Sequence, residues 1–253
     1  MLHIPTWKPV KLPDGSIGTE QSSRSMFATC PCQIERMERE EAARKARERQ
    51  DHIARIIRDA GTSPRLQAAS FESWRHSPAT EDAYTKAVQC AEDIAAGKTD
   101  CGLIILGSNG NGKSHLAESI GKRIAQSGKT YVFRSVPELL IDIRRTFDKD
   151  ANAETDLMHT LTTCDLLVLD DLGAEKWSEW TEERLFVIVD ARYRRQKNIV
   201  VTSNAPKMAG TDKEPGLREL AGPRIYDRLL EMCGWVVNGG ESQRRRAQIE
   251  RAR

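Results

Sequence analysis

The sequence predicts an α/β protein, a parallel sheet covered on both faces by helices. Three observations predict it. Apolar runs alternate with helical patterns from Leu103 to Ser203, as parallel strands joined by crossover helices require. The first of these runs, Leu103-Ile104-Ile105-Leu106, stops at Gly107-Ser108-Asn109-Gly110-Asn111-Gly112-Lys113-Ser114 and opens a helix. That is the strand–loop–helix setting of a phosphate-cradling G-x-x-x-x-G-K-[ST] loop. A later run, Leu166-Leu167-Val168-Leu169, leads straight into Asp170-Asp171. Carboxylates then stand at the C-terminal end of a strand, where open parallel sheets bind ligands.

The 253 residues suffice for one sizeable nucleotide-binding domain and a small extra region. A net charge of +2 is close to neutral, so any nucleic-acid contact must come from local basic patches. No apolar run is long enough to span a bilayer, so no membrane contact is expected. Met1 to Pro13 contains no apolar h-region, so no secretory signal is expected. The six cysteines are scattered apart from Cys30 and Cys32, which is reduced usage and predicts a cytoplasmic protein without disulfides.

Residues 1–62 form the first predicted region. Met1 to Thr29 is rich in Pro, Gly, Ser and Lys without sustained periodicity. It reads as an arm, disordered or ordered only by a partner. Cys30-Pro31-Cys32 supplies two of the four ligands of a zinc site and nothing before it supplies a second cysteine pair, so zinc is not expected. Gln33 to Asp59 is one long helical pattern of good helix formers. Its middle is charged on every face, with pairs such as Glu40–Arg44 at i,i+4, and its ends carry Ile34, Met37, Ile53, Ile56 and Ile57. Such a helix is a solvated spacer, a partner-docking arm, or both. Gly61-Thr62-Ser63-Pro64 ends it.

Residues 63–240 are the predicted catalytic domain. Phe71 and Trp74 anchor its entry segment, either as core contacts or beside a nucleotide base. Thr80 to Ala96 predicts an amphipathic helix. The helix from Ser114 to Gln126 closes at Gly128. A strand at Thr130 to Phe133 and a helix at Pro137 to Phe147 follow, the proline in the first turn. After a polar break comes a second helical piece to about Thr162. A helix over Trp180 to Arg195 ends in Arg192, Arg194, Arg195 and Lys197, and a strand over Asn198 to Ser203 runs into Asn204. A short helical turn and a helix carrying Arg224 and Arg228 lead to a last strand at Trp235 to Asn238. Residues 241–253 are a basic tail, either a phosphate contact or a solvated terminus.

The residue types indicate the chemistry. Glycines at 107, 110 and 112 let the backbone N–H groups of Gly107, Ser108, Asn109, Gly110, Asn111 and Gly112 turn in on phosphate oxygens, with the helix N-terminus adding its positive end. Lys113 would reach the β- and γ-phosphates of ATP, and Ser114 would hold Mg²⁺. Asp170 would hold the same Mg²⁺ through water, and Asp171 would orient or deprotonate the attacking water. Asn204 either positions that water or starts the turn before Pro206. Arg224 and Arg228, at i,i+4, either recognise phosphate, one of them in a neighbouring subunit, or form surface salt bridges with Asp227 or Glu231. Arg144, Arg145 and Lys149 are the candidate contacts to a nucleic-acid backbone.

Gly107–Ser114, the Leu-Val-Leu-Asp-Asp-Leu-Gly run, Val-Thr-Ser-Asn at 201–204 and Arg-Ile-Tyr-Asp-Arg-Leu-Leu at 224–230 occur in order. Together they resemble the DnaC-type helicase loaders and the related IstB-type transposition ATPases of the AAA+ class. The resemblance spans roughly Ser63 to Arg246. It implies an AAA+ core behind an extended or helical N-terminal arm, with Asn204 as sensor 1 and Arg224 as an arginine finger acting in trans. Arg228 becomes a second phosphate sensor or a structural partner of the finger. It also implies self-assembly, single-stranded DNA and a replicative helicase gripped by the N-terminal region. The entry segment at 63–74 resembles the loaders, and Cys30-Pro31-Cys32 resembles the closing half of the zinc knuckle in some of them. Gly-Glu-Ser-x-Arg-Arg-Arg at 240–246 is shared with the transposition branch, whose members regulate transposition on duplex DNA. Asp171 stands where many AAA+ enzymes use Glu, and the shorter side chain implies slow hydrolysis stimulated by assembly or DNA.

Overall fold

The computed structural model describes residues 2–11, 17–26, 39–41, 44, 66–147, 151–174, 178–211 and 215–243. The chain divides into Met1–Asp51 and His52–Arg253.

In the first unit, β1 (Leu2–Lys11) and β2 (Ile17–Met26) pair antiparallel, with Leu2 opposite Met26 and Lys11 opposite Ile17. The sequence predicts an arm without local order here. A two-stranded ladder is held by main-chain bonds and needs no apolar periodicity. The overlooked signal is Asp14-Gly15 between the two strands, a favoured hairpin dipeptide. Residues 39–41 and 44 are helical, inside the predicted charged helix. The rest of that helix, with Cys30 and Cys32, lies outside the described residues.

The second unit is built on five parallel strands: β3 (Gly102–Leu106), β4 (Tyr131–Ser135), β5 (Leu166–Asp170), β6 (Asn198–Ser203) and β7 (Cys233–Val237). Their order is β4-β5-β6-β3-β7. Strand β3 lies between β6 and β7, each far from it in sequence, so chain connections diverge at its C-terminal end and leave a crevice there.

Seven helices complete the described part of this unit: α1 (Glu81–Ala95), α2 (Lys113–Gln126), α3 (Val136–Phe147), α4 (Ala151–Thr163), α5 (Glu179–Arg194), α6 (Leu217–Ala221) and α7 (Pro223–Met232). The period of two along the strands sorts them into layers. Leu103, Ile105, Leu166, Val168 and Val200 face α1 and α2. Ile104, Leu106, Leu167, Leu169, Ile199 and Val201 face the core formed with α3 to α7. Both faces are covered, which is why the strands read as continuous apolar runs. Ser178 caps α5, accepting from the Thr181 N–H at 3.2 Å.

One residue in this frame departs from its sequence-level reading. Arg192 belongs to the basic end of α5 yet is fully buried. Its guanidinium donates to the carbonyls of Leu161 at 2.7 Å and Cys164 at 3.0 Å, and also to that of Asn198. It thus ties the end of α4 and the approaches to β5 and β6 into one corner.

Candidate nucleotide-binding site

The loop 107–112 leaves β3 at the crevice and enters α2. Gly107 has φ +138°, and a Cβ there would collide with the Asn238 carbonyl. Gly112 has φ +98°, and a Cβ there would lie 2.7 Å from the Trp74 ring. Both positions therefore demand glycine for backbone and for space. The loop is tied to the end of β7: the Asn111 amide donates to the Asn238 carbonyl, and Asn238 Nδ2 donates back to the Asn111 carbonyl at 2.9 Å. The Gln243 N–H reaches the Gly110 carbonyl at 2.8 Å.

Lys113 is buried, and its ammonium donates to the Ser108 carbonyl at 2.8 Å and to Asn204 Oδ1 at 2.9 Å. Asn204 follows β6, the neighbour of β3, so the sheet brings two residues remote in sequence into direct contact.

Asp170 closes β5 and is nearly buried. Thr202 Oγ1 donates to Asp170 Oδ1 at 2.6 Å and accepts the Asp171 N–H at 3.0 Å. Asp171 has φ +59°, a left-handed conformation that Asp tolerates better than most residues. Burial raises the Asp170 carboxyl above its ordinary range, and the charge of Asp171 adds to this. Hydrogen bonds from Thr202 and Ser114 and the charge of Lys113 oppose it. The Ser114 hydroxyl and the Asp170 carboxylate are therefore side by side, an oxygen pair that suits the hard cation Mg²⁺. Among the described residues no group of three or more His, Cys, Asp or Glu converges to hold a metal. The pair fits Mg²⁺ that also binds nucleotide phosphates, the usual arrangement for this ion.

A cleft of about 620 Å³ is lined by Lys113, Ser114, Asp170, Asp171 and Asn204 and by the less polar Leu66, Ala68, Ala69 and Trp74. Phe71 is a core residue, edge-on to Tyr84 with ring centres 5.8 Å apart. Trp74 is both core and cleft wall, lying under Gly112 and against His115. Burial lowers His115 below the ordinary histidine value, and its Nε2–H donates to the Ser70 carbonyl at 2.8 Å.

The arginines of α7 lie elsewhere. The Arg224 guanidinium stands 3.7 Å from the centre of the Phe186 ring on α5, and Arg224 does not line its own chain's cleft. Arg228 Nε pairs with Asp190 Oδ1 at 3.1 Å, and Arg194 takes the other carboxylate oxygen at 2.8 Å. The sequence offers Asp227 and Glu231 as partners. The actual partner comes from another helix, a contact that sequence spacing hides. Arg144 is exposed, its guanidinium 4.4 Å from the centre of the Trp180 ring. Lys149 and the Arg145 side chain lie outside the described residues.

A central strand feeding a glycine-rich loop and helix, with two carboxylates at the C-terminal end of β5, separated from that strand by β6, defines a phosphate-loop nucleoside triphosphatase. The chain belongs to the family of IstB-like ATP binding proteins, whose profile matches residues 20–251, and is an ATPase of the AAA+ class. It is 28% identical over 214 residues to the replicative helicase loader DnaC of Escherichia coli strain K12, covering 83% of this chain and 80% of that one. The crystal structure of the DnaC helicase loader matches with a TM-score of 0.60 and 25% identity, over 70% of this chain and 99% of that chain. The replication initiator DnaA bound to AMPPCP and single-stranded DNA matches with a TM-score of 0.57 at 20% identity, over 70% of this chain and 50% of that one. That last likeness is one of fold. No helix among the described residues is long and apolar enough to cross a membrane.

Proposed function

We propose that the chain is an ATP-dependent loader that binds single-stranded DNA and delivers a replicative helicase to it. The observation that carries this reading is the division of the catalytic residues. Lys113, Ser114, Asp170, Asp171 and Asn204 share one cleft, whereas Arg224 stands outside it on α7. A site so divided is completed only by a neighbouring copy, which makes hydrolysis report assembly. The 28% identity to the DnaC loader over most of both chains supports the choice of helicase as partner.

The geometry supports the following roles. The loop N–H groups of residues 107–112 and the Lys113 ammonium bind the β- and γ-phosphates of ATP. Ser114 and Asp170 would hold Mg²⁺, which would supply positive charge against those phosphates. Asp171, its backbone fixed by Thr202, orients the attacking water and draws off its proton, and Asn204 positions that water. Arg224 of one copy stabilises the charge that develops in the neighbour's site. Arg228 holds α7 against α5 through Asp190 and so sets the reach of Arg224.

A second reading, a regulator of transposition on duplex DNA, is favoured by the family match and by the Gly-Glu-Ser and arginine run at 240–246. Co-purification with a replicative helicase, with and without ATP, separates the two. The loader reading expects helicase retained in an ATP-dependent way. No helicase in either state, together with filaments on duplex DNA, would overturn it.

A further inference from the structure

The helix that starts with the phosphate-loop lysine also holds a second part of the cleft wall. Lys122 lies on α2 nine positions after Lys113, about 13 Å along the helix at the standard rise. Its ammonium donates to the carbonyls of Leu66 at 3.1 Å, Gln67 at 2.6 Å and Ala69 at 2.7 Å. An ammonium has three N–H groups, and here three carbonyls take them. His115, two turns earlier on the same face, donates to the next carbonyl, Ser70, at 2.8 Å. Beneath them the fully buried Glu118 carboxyl stands 3.9 Å from the Lys122 ammonium and draws it toward the helix.

Leu66, Ala68 and Ala69 of the clamped turn, 66–69, line the same cleft as Gly110, Gly112 and Lys113 of the phosphate loop. Among the described residues the turn is otherwise held by a bond from the Ala69 N–H to the Leu66 carbonyl at 2.9 Å and by Ser73 Oγ, which donates to the Ala68 carbonyl at 3.1 Å. Among the described residues, the side chains of α2 therefore supply most of the polar contacts that anchor that wall.

We propose that Lys122 is a positioning residue for the nucleotide: by fixing the 66–69 turn to the phosphate-loop helix, it sets the wall against which the base rests. Its reach is spent on carbonyls and its place on α2 is far from the phosphates, so its loss acts on the base and not on the triphosphate. This inference rests on the reading of the cleft as the ATP site.

Calorimetric titration of the full chain in Mg²⁺ tests it, with ATP and with inorganic tripolyphosphate as the two ligands. Lys122→Met should weaken ATP about tenfold, the scale of losing charge-assisted hydrogen bonds. It should leave tripolyphosphate within about twofold, since the phosphate loop is untouched. Lys122→Arg, which can still donate to the turn, should recover most of the ATP affinity. Unchanged ATP binding by Lys122→Met overturns the proposal. So does an equal loss for both ligands, which would mean that the helix as a whole had shifted. A wild-type chain that bound neither ligand would instead overturn the site assignment, and this inference with it.

Discussion

Thr202 shows what a single hydroxyl contributes at the C-terminal edge of the sheet. It donates to the Asp170 carboxylate and accepts from the Asp171 backbone, so one side chain of the adjacent strand holds the first carboxylate and the main chain of the second residue. Asp171→Asn keeps the shape of the turn and removes the proposed base. ATP affinity should therefore stay near wild type, while steady-state hydrolysis falls about a hundredfold, within the usual worth of a general base. A variant that hydrolyses at the wild-type rate would remove Asp171 from the mechanism. Glu118 is the second residue with a consequence at this scale. Burial pushes its carboxyl up from 4.5 to about 7, against the charge of Lys122 and a hydrogen bond from Tyr131. The folded chain thus keeps a proton that the unfolded chain has lost between pH 4.5 and about 7. With more protons bound in the folded state, stability falls as pH rises through that window and levels off above it. Glu118→Gln cannot ionise, so it should gain on the wild type by up to about 3 kcal/mol between pH 5 and pH 8. Urea unfolding at the two pH values measures the gap, and a gap independent of pH would show that Glu118 does not titrate there. Asp170, Lys113 and Ser114 were legible in the sequence because their motif is local. Thr202 and Lys122 were not, because their partners are remote in sequence, and Glu118 was not, because only packing decides that it is buried.

At the scale of elements, the corner around Arg192 bears the most weight for its size. Its guanidinium satisfies carbonyls from α4, from the start of β5 and from the start of β6. Arg192→Met fills similar space but leaves those buried acceptors without donors. It should cost about 3 kcal/mol or more of folding stability. Thermal unfolding monitored by circular dichroism would register this as a large drop in midpoint, and a shift of only a degree or two would show that water replaces the guanidinium. Helix α7 illustrates a different coupling. Arg228 is fixed by Asp190 on α5, and Arg224, one turn earlier, is supported by the Phe186 ring on the same partner helix. The i,i+4 spacing announced that the two arginines share a face. Only packing decided that one braces the helix while the other is left at the edge.

For the molecule as a whole, the proposed division of the site makes a prediction that no single copy can satisfy. Chains carrying Lys113→Ala lack the phosphate lysine but keep Arg224, and chains carrying Arg224→Ala have the reverse defect. Each variant alone should hydrolyse ATP at less than about a tenth of the wild-type rate, and an equimolar mixture should recover a clear fraction, because mixed neighbours rebuild one intact site. Steady-state hydrolysis across mixing ratios measures this, and a mixture no faster than its components would place Arg224 outside the reaction. The alternation of strand and helix, the phosphate loop and the Asp170-Asp171 pair were determined by the sequence alone. Each depends on residues close in the chain, where periodicity and spacing act directly. The pairing of β1 with β2 was also local, but its ladder is carried by the main chain, and in the sequence only Asp14-Gly15 between the strands marks it. Tertiary structure alone decided that Asn204 bonds Lys113, that Asp190 takes Arg228, that Arg192 is buried, and that the phosphate-loop helix clamps residues 66–70. Those contacts are made between segments whose meeting depends on the order of strands in the sheet, and no local pattern in the chain records that order.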